Sequence, residues 1–285
     1  MVGGGALENP KEGFKEYLLQ QGFSDNTLLS YLSAVYQFLQ LYGQVTAENL
    51  ISYRTFLLER FRPSTVNTRI CAINRYLDYL EKTKPRGNCQ QETARLKVVK
   101  CQPKTFVDTV ISRKDYNKLK KKLEAEENWF WYFLVRVMAC TGVRVSELVQ
   151  IKVEHIRDSY MDICSKGSKT RRIYFPRNLQ QEMLAWLGQQ NHQSGLIFIN
   201  KSGQPLTSRE INRKLKVFAR RYHIPGEVMT PHSFRHRFAQ NFLAQYNDIT
   251  LLADLLGHSS LKTTRIYLTK SSDEQWKAVD RIVTW

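Results

Sequence analysis

The sequence predicts a mainly α-helical protein with a small β-sheet, in which an N-terminal helical bundle precedes an α+β domain. Over most of the chain, apolar residues recur every three or four positions, and capping residues or glycines bracket these stretches. One stretch alternates polar and apolar residues on both sides of a short turn, which indicates a β-hairpin. A basic segment without periodicity separates the two regions. The 285 residues are enough for two domains that each bury a core.

The first domain is predicted at residues 9–83 and contains four amphipathic helices. Each helix starts at a polar residue that can accept a hydrogen bond from the first turn, and these N-caps are Asn9, Ser24, Thr46 and Ser64. Pro10 suits the first helical position, while Gly22 and Gly43 suit the ends of the first two helices. The pattern therefore predicts a compact helical module.

A linker is predicted at residues 84–110. Between Lys84 and Lys104 it holds six Lys and Arg residues and a single acid, Glu92. This composition suits an extended segment that lies along a phosphate backbone. It is equally compatible with a mobile tether between two domains.

The second domain is predicted at residues 111–285 and begins with a helix that Ser112 caps. The apolar run WFWYFLVRVMAC predicts a buried helix that Gly142 ends, so that Arg144 stands at the start of the next helix. The run YMDICSKGSKTRRIYFP predicts the β-hairpin, with Lys166 at its tip.

Five further elements complete this domain. They are a helix near residues 178–188, a short strand LIFI at 196–199, a helix from Thr207 to Tyr222, a helix that Thr230 caps and Pro231 opens, and an apolar helix, LLADLL, that Gly257 ends. A tail helix is predicted after Ser272, with an apolar stripe formed by Trp276, Val279 and Val283.

Composition points to a nucleic acid partner. The formal charge is +17, the pI is about 9.7, and no apolar run approaches the length of a bilayer span. The first residues lack a basic region followed by a long apolar core, so we expect no secretory signal. The five cysteines are odd in number and lack C-x-x-C spacing, which favours reduced thiols in the cytoplasm and argues against a zinc site.

Four motifs occur in a fixed order in the second domain. They are T-G-x-R-x-S-E-L around Arg144, H-x-x-R from His232 to Arg235, L-L-G-H ending at His258, and T-T-x-x-Y ending at Tyr267. Each motif alone is common, but the whole set in this order resembles the tyrosine recombinases of the phage-integrase family.

The resemblance implies a fold, an activity and a site. The first domain is similar to the family's core-binding domain, which forms one half of a clamp around DNA. The six matching catalytic positions are Arg144, Lys166, His232, Arg235, His258 and Tyr267. The lysine normally stands in a G-K-G context, whereas the sequence here is S-K-G, so the choice between Lys166 and Lys169 stays open.

These residue types suit cleavage of a phosphodiester. Two guanidiniums, of Arg144 and Arg235, can neutralise the charge that grows on the non-bridging oxygens. A phenol such as Tyr267 needs a base, for which His232 is the candidate, and the departing 5′-hydroxyl needs an acid, for which Lys166 is the candidate. His258 is expected to donate to a phosphate oxygen. The sequence holds no P-loop and no carboxylate cluster, so no cofactor or metal is expected.

The DNA-binding surface is predicted from basic residues outside the catalytic set. These are Arg62, Arg69 and Arg75 in the first domain and Lys169, Arg171, Arg172, Arg209 and Arg213 in the second. Any of them could also simply keep a surface hydrated.

The prediction is a site-specific recombinase that acts as a homotetramer on two DNA duplexes and as a monomer or dimer on one site. A type IB topoisomerase and a non-catalytic DNA-binding protein are the alternatives. The tail helix either packs on its own domain or passes to a neighbouring protomer. The target site and the direction of recombination are open.

Overall fold

A computed structural model describes residues 10–83, 95–100, 110–164, 170–258, 263–264 and 280–281. The chain divides into two compact units, Met1–Pro103 and Lys104–Trp285, each with its own hydrophobic core. The described part is mainly helical with one two-stranded sheet, which confirms the predicted fold class.

The first unit contains four helices, as predicted. They are α1 (Pro10–Gln20), α2 (Asp25–Tyr42), α3 (Ala47–Arg60) and α4 (Pro63–Thr83). The Ser24 and Thr46 side chains accept hydrogen bonds from the first turns of α2 and α3, so both caps are confirmed. Helix α4 begins one residue before the predicted cap Ser64, and Asn9 lies outside the described residues.

Aromatic side chains fill the core of this unit. Phe14, Phe38 and Tyr53 are fully buried, and the rings of Phe38 and Tyr53 form a T-shaped pair with 5.2 Å between their centroids. The buried Tyr53 hydroxyl donates to the backbone oxygen of Ala34 at 3.3 Å, which satisfies its polar end.

Part of the predicted linker lies on α4. The Asn74 side chain exchanges two hydrogen bonds with the backbone of Leu96, both 3.0 Å long. The Asn67 side chain does the same with Val99, at 2.9 and 2.8 Å. Two amides therefore satisfy a backbone segment that pairs with no strand in the described part of the chain. Residues 95–100 are held to the first unit, and the rest of the linker up to residue 109 lies outside the described residues.

The second unit contains eight α-helices among its described residues. They are α5 (Arg113–Ala125), α6 (Trp129–Thr141), α7 (Val145–Leu148), α8 (Val153–Asp158), α9 (Arg177–Gln189), α10 (Ser208–Arg221), α11 (Pro231–Gln245) and α12 (Ile249–Leu256), and a short 3-10 helix spans Gly226–Val228. Nine of the thirteen residues of α6 are buried, so this mainly apolar helix runs through the core. Its end at Gly142, which is in the left-handed region with φ of 62°, confirms the predicted stop.

The sheet is the predicted β-hairpin. Strand β1 (Tyr160–Cys164) pairs with β2 (Thr170–Tyr174) in antiparallel register from Tyr160 opposite Tyr174 to Cys164 opposite Thr170. The hairpin tip, residues 165–169, lies outside the described residues.

The predicted strand LIFI is wrong. In this segment only isolated bridges occur, from Leu196 to Lys152 and from Ile199 to Pro205. Phe198 is buried, so the apolar run belongs to the core without forming a strand. Its two bridges involve different partners, and Pro205 has no N–H with which to extend a ladder.

Helix α8, which sequence periodicity did not indicate, precedes the hairpin. In the described part of the chain, no helix is long and apolar enough to cross a membrane.

Candidate active site

The site is built around the C-terminal end of α12. Gly257 follows the helix with φ of 62°, its N–H donates to the Asp254 oxygen at 2.9 Å, and the N–H of His258 donates to the Ala253 oxygen at 3.0 Å. These two bonds form a Schellman motif, which ends the helix and turns the chain. The carbonyls of Leu255 and Leu256 are left without helical donors.

Three arginines from three other elements donate to successive carbonyls at this end. Arg171 Nη1 donates to the Leu255 oxygen at 2.5 Å and Arg235 Nη2 to the Leu256 oxygen at 2.5 Å. Arg144 Nη2 donates to the Gly257 oxygen at 2.8 Å. The negative end of the helix dipole favours cations at this position, so α12 gathers three guanidiniums around its last turn.

Arg144 lies at the start of α7, as the motif predicted. Its Nη1 pairs with Glu147 Oε1 at 3.0 Å, and its backbone N–H donates to Glu147 Oε2 at 2.7 Å. The Arg144 side chain is 39% exposed, whereas that of Glu147 is 7% exposed. Glu147 therefore orients the arginine from the protein side and leaves part of the guanidinium open to solvent.

Arg235 lies in the first turns of α11 and is buried, with 4% of its surface exposed. Besides the Leu256 bond, its Nη1 donates to the oxygen of Gly142 at 2.5 Å. The guanidinium therefore joins the end of α6 to the end of α12. Such a buried charge is tolerated because carbonyl oxygens accept hydrogen bonds from its N–H groups.

His258 connects Arg235 to Thr264. Its Nε2 lies 3.1 Å from Arg235 Nη2, and its Nδ1 lies 2.8 Å from Oγ1 of the buried Thr264. An arginine can only donate, so Nε2 accepts and the proton of the neutral ring is on Nδ1. Desolvation and the charges of Arg235 and Arg144 lower the pKa of His258 to about 4. To donate to a phosphate oxygen, as predicted, the His258 ring must therefore replace one of its two present partners with that oxygen.

His232 lies on the same helix as Arg235 and is exposed. Partial desolvation, and then the charge of Arg235, lower its pKa, so the ring is neutral at pH 7 and can accept a proton. The ring of the buried His236 packs edge-on against it, with 4.1 Å between centroids. Burial lowers the pKa of His236 to about 4.

Arg171 is placed differently from the prediction. Sequence patterning indicated an exposed DNA contact, but the Arg171 side chain is only 6% exposed and pairs with Glu147. The reason lies in the pleat: Arg171 and Ile173 face inward on β2, while Arg172 faces solvent. A second cation thus approaches Glu147 from the hairpin.

The remaining catalytic candidates, Lys166 and Tyr267, and the alternative Lys169 lie outside the described residues. The structure therefore brings together Arg144, Arg235 and His258. His232 shares α11 with Arg235.

The predicted DNA-binding residues of the first unit are on or beside α4. Arg62 and Arg75 are exposed, and Arg75 pairs with Asp78 at 3.2 Å. Arg69 is half-buried, stacks over the Phe61 ring at 4.2 Å and donates to the Gln37 side chain.

Two of the predicted DNA-binding residues of the second unit, Arg209 and Arg213, are exposed on α10. Arg172 is exposed on β2, forms two 2.8 Å bonds with Asp162 and stacks over Tyr160.

Sequence reasoning missed Glu147 and Thr264 as members of this site. Glu147 stands three residues after Arg144, at the position where an acid completes a capping box, and that spacing was a usable signal. Thr264 is the second threonine of the T-T-x-x-Y motif, but the motif assigned it no role, because its contact with His258 depends on tertiary structure. Among the described residues, no group of three or more His, Cys, Asp or Glu residues could hold a metal ion.

Comparison with known proteins agrees with the motif set. The model of the phage integrase family matches residues 109–274. The tyrosine recombinase XerA of Pyrococcus furiosus is 28% identical over 280 residues, which cover 95% of this chain and 92% of that protein. The tyrosine recombinase XerC of Rickettsia bellii is 31% identical over 284 residues, with 91% of each chain covered.

Solved structures show the same fold. A XerH recombinase bound to difH substrate in a pre-cleavage complex has a TM-score of 0.67 at 16% identity, covering 99% of this chain and 98% of that one. A lambda integrase tetramer bound to a Holliday junction also has a TM-score of 0.67, at 15% identity, covering 93% of this chain and 78% of that one. The chain belongs to the phage integrase family and is a tyrosine recombinase.

Proposed function

We propose that this protein is a site-specific DNA recombinase that cuts and rejoins DNA strands through a 3′-phosphotyrosine intermediate. The observation that carries the proposal is the convergence of Arg144 and Arg235 on adjacent carbonyls, those of Gly257 and Leu256. Two guanidiniums held this close can bind two oxygens of one phosphate. Part of Arg144 is open to solvent, which gives the phosphate a point of entry.

The proposed reaction is a transfer of one phosphoryl group. The Tyr267 oxygen attacks phosphorus while its proton passes to His232, whose lowered pKa keeps it neutral and able to accept. The bond from phosphorus to the 5′-oxygen breaks, and Lys166 protonates that oxygen. Arg144 and Arg235 stabilise the charge on the two non-bridging oxygens. Attack by a different 5′-hydroxyl reverses these steps and joins new strands without ATP.

The proposed organisation follows from the motifs and the fold. Residues 9–83 form a core-binding domain on DNA, residues 84–110 form the linker, and residues 111–285 form the catalytic domain. A homotetramer on two duplexes is supported by the lambda integrase tetramer, whose fold this chain shares. An enzyme of this kind acts in the cytoplasm, on the nucleoid.

The test is covalent capture on a library of nicked duplexes. When a nick lies close to the cleaved bond, the short fragment that carries the 5′-hydroxyl diffuses away. The protein then stays joined to the 3′-phosphate. We expect the wild type to be captured at a defined sequence and Tyr267→Phe to bind the same DNA without capture. An adduct that persists in Tyr267→Phe would overturn the assignment of the nucleophile.

The same experiment separates the alternative functions. A topoisomerase is captured on many sequences and also relaxes a supercoiled plasmid that carries no special site. A non-catalytic DNA-binding protein is never captured. A recombinase is captured at one sequence and exchanges strands only when two copies of that sequence are present.

A further inference from the structure

We infer that Arg171 is a positioning residue for the proposed strand cleavage: it shares the buried Glu147 carboxylate and thereby keeps the Arg144 guanidinium available for the phosphate. The inference rests on the proposed function. It assigns to the hairpin strand a role that is separate from that of the lysine at the hairpin tip.

The charge balance of the cluster is the first observation. Glu147 is 7% exposed and receives Arg171 Nη2 on Oε2 and Arg144 Nη1 on Oε1. Two cations therefore share one buried anion, and one positive charge is left over beside the partly exposed Arg144. Without Arg171, Arg144 is the remaining arginine partner of Glu147 among the described residues, and that pair has no net charge to add to the attraction of a phosphate by Arg235.

The second observation is that the fold makes room for this side chain. A Cβ added at Gly257 would overlap Arg171 Cδ and lie 2.8 Å from Arg171 Nε. The glycine thus serves a close approach as well as a left-handed turn, and the Arg171 stem packs directly over the end of α12. The guanidinium then reaches Glu147 with one terminal nitrogen and the Leu255 oxygen with the other.

The third observation is the location of Arg171 in the chain. It stands opposite Ile163 in the β1–β2 ladder, two residues after the hairpin tip. The bonds of Arg171 attach this ladder to α7 and α12, which carry Glu147 and lead to His258. A lysine here could keep the charge, but its single nitrogen cannot reproduce the planar two-pronged contact.

The experiment measures single-turnover adduct formation on the captured nicked site at saturating DNA, together with DNA affinity and thermal unfolding. We expect Arg171→Gln to bind DNA within about threefold of wild type and to react about 100-fold more slowly, as for a small misplacement of a catalytic group. Arg171→Lys, which keeps the charge, should react about tenfold more slowly than wild type. This variant also tests the inference if Arg171→Gln does not fold.

A second variant separates charge balance from general damage. In Arg171→Gln/Glu147→Gln the leftover positive charge returns, so the double variant should react no more slowly than Arg171→Gln alone. If the double variant reacts more slowly than Arg171→Gln alone, Arg171 does not act through Glu147 and the inference is overturned.

The chain offers a matched control in Arg136. This arginine of α6 is also buried, at 8% side-chain exposure, and pairs with Glu182 of α9, a helix that holds none of the site residues described above. Arg136→Gln should lower thermal stability yet react at the wild-type rate once bound. Equal slowing by Arg136→Gln, or reaction of Arg171→Gln within twofold of wild type, would overturn the inference. Absence of any wild-type adduct would instead overturn the proposed function, and the role of Arg171 with it.

Discussion

At the scale of single residues, the site depends on donors that serve the fold and the chemistry together. Arg235 is the clearest case, because its guanidinium bridges Gly142 and Leu256 and also touches His258. Arg144 is more exposed and binds fewer elements. The two arginines should therefore differ in their structural roles while sharing a chemical one.

We predict that Arg144→Ala and Arg235→Ala each slow cleavage by a factor that corresponds to about 3–4 kcal/mol, as for the loss of one oxyanion donor. Only Arg235→Ala should also lower the melting temperature strongly, because it leaves two buried carbonyls without a donor. Adduct kinetics and calorimetry on the two variants provide the measurement. Cleavage within tenfold of wild type would count against both roles.

The candidate acid can be identified by the leaving group. We predict that a substrate with sulfur at the 5′-bridging position, whose leaving group needs no proton, restores cleavage to Lys166→Ala but not to Arg144→Ala. The measurement is adduct yield on paired oxygen and sulfur substrates. Rescue of Lys169→Ala in place of Lys166→Ala would assign the acid to Lys169.

Two histidines of the site should make stability depend on pH. The pKa values of His236 and His258 are lowered to about 4 in the folded chain, against 6.5 for an ordinary histidine. Between these values the unfolded chain binds more protons, so the free energy of unfolding should fall as pH falls from about 6.5 towards 4.

Thermal unfolding of the wild type and of His258→Gln between pH 7.5 and pH 5 measures this dependence. The variant should lose less stability over the range, while His223→Asn, which changes an exposed histidine, controls for the loss of any imidazole. Equal pH slopes for the wild type and His258→Gln would contradict the prediction.

At the scale of elements, the end of α12 is the junction of the second unit. Helices α6, α7 and α11 and strand β2 all send or receive a bond within this cluster. Three donors on three successive carbonyls give the helix end a defined position. The turn at Gly257 leads to His258, whose Nδ1 lies 2.8 Å from Oγ1 of Thr264.

The predicted tail helix, residues 272–285, lies almost wholly outside the described residues. We predict that its deletion leaves binding to a single half-site nearly intact but abolishes tetramer formation and recombination, because its apolar stripe is expected to pack on a neighbouring protomer. Gel shift and light scattering on the truncated protein measure this. Tetramers at wild-type concentration would show that the tail packs on its own domain.

At the scale of the whole molecule, charge is the dominant property. The formal charge of +17 predicts that affinity for DNA falls steeply with salt, because bound Lys and Arg residues displace condensed counterions. Arg62→Gln should reduce the slope of log affinity against log salt by about one, as for one lost phosphate contact.

The matched control is Lys122→Gln, which removes the same charge from an exposed position on α5 that is not among the predicted contacts. Its slope should equal that of the wild type. A flat salt titration of the wild type would contradict a DNA clamp, and equal slopes for Arg62→Gln and Lys122→Gln would mean that only net charge matters.

The sequence was sufficient for the described helices other than α8, for the hairpin and for the family, because these depend on residues close together in the chain. The caps at Ser24 and Thr46 act within three residues, the stop at Gly142 acts on the turn before it, and a pleat alternates every two residues. The catalytic motifs could be recognised in the sequence for the same reason, since each one spans only a few positions.

Tertiary structure alone decided which cations are buried and what they hold. Arg171 contacts Glu147 across 24 positions and Leu255 across 84, and Arg144 reaches Gly257 across 113. No periodicity links such distant residues, so a basic hairpin pattern predicted an exposed Arg171 where the fold places a buried one. The free energy of burying a guanidinium depends on which acceptors the folded chain brings within reach, and that information is absent from any local stretch of sequence.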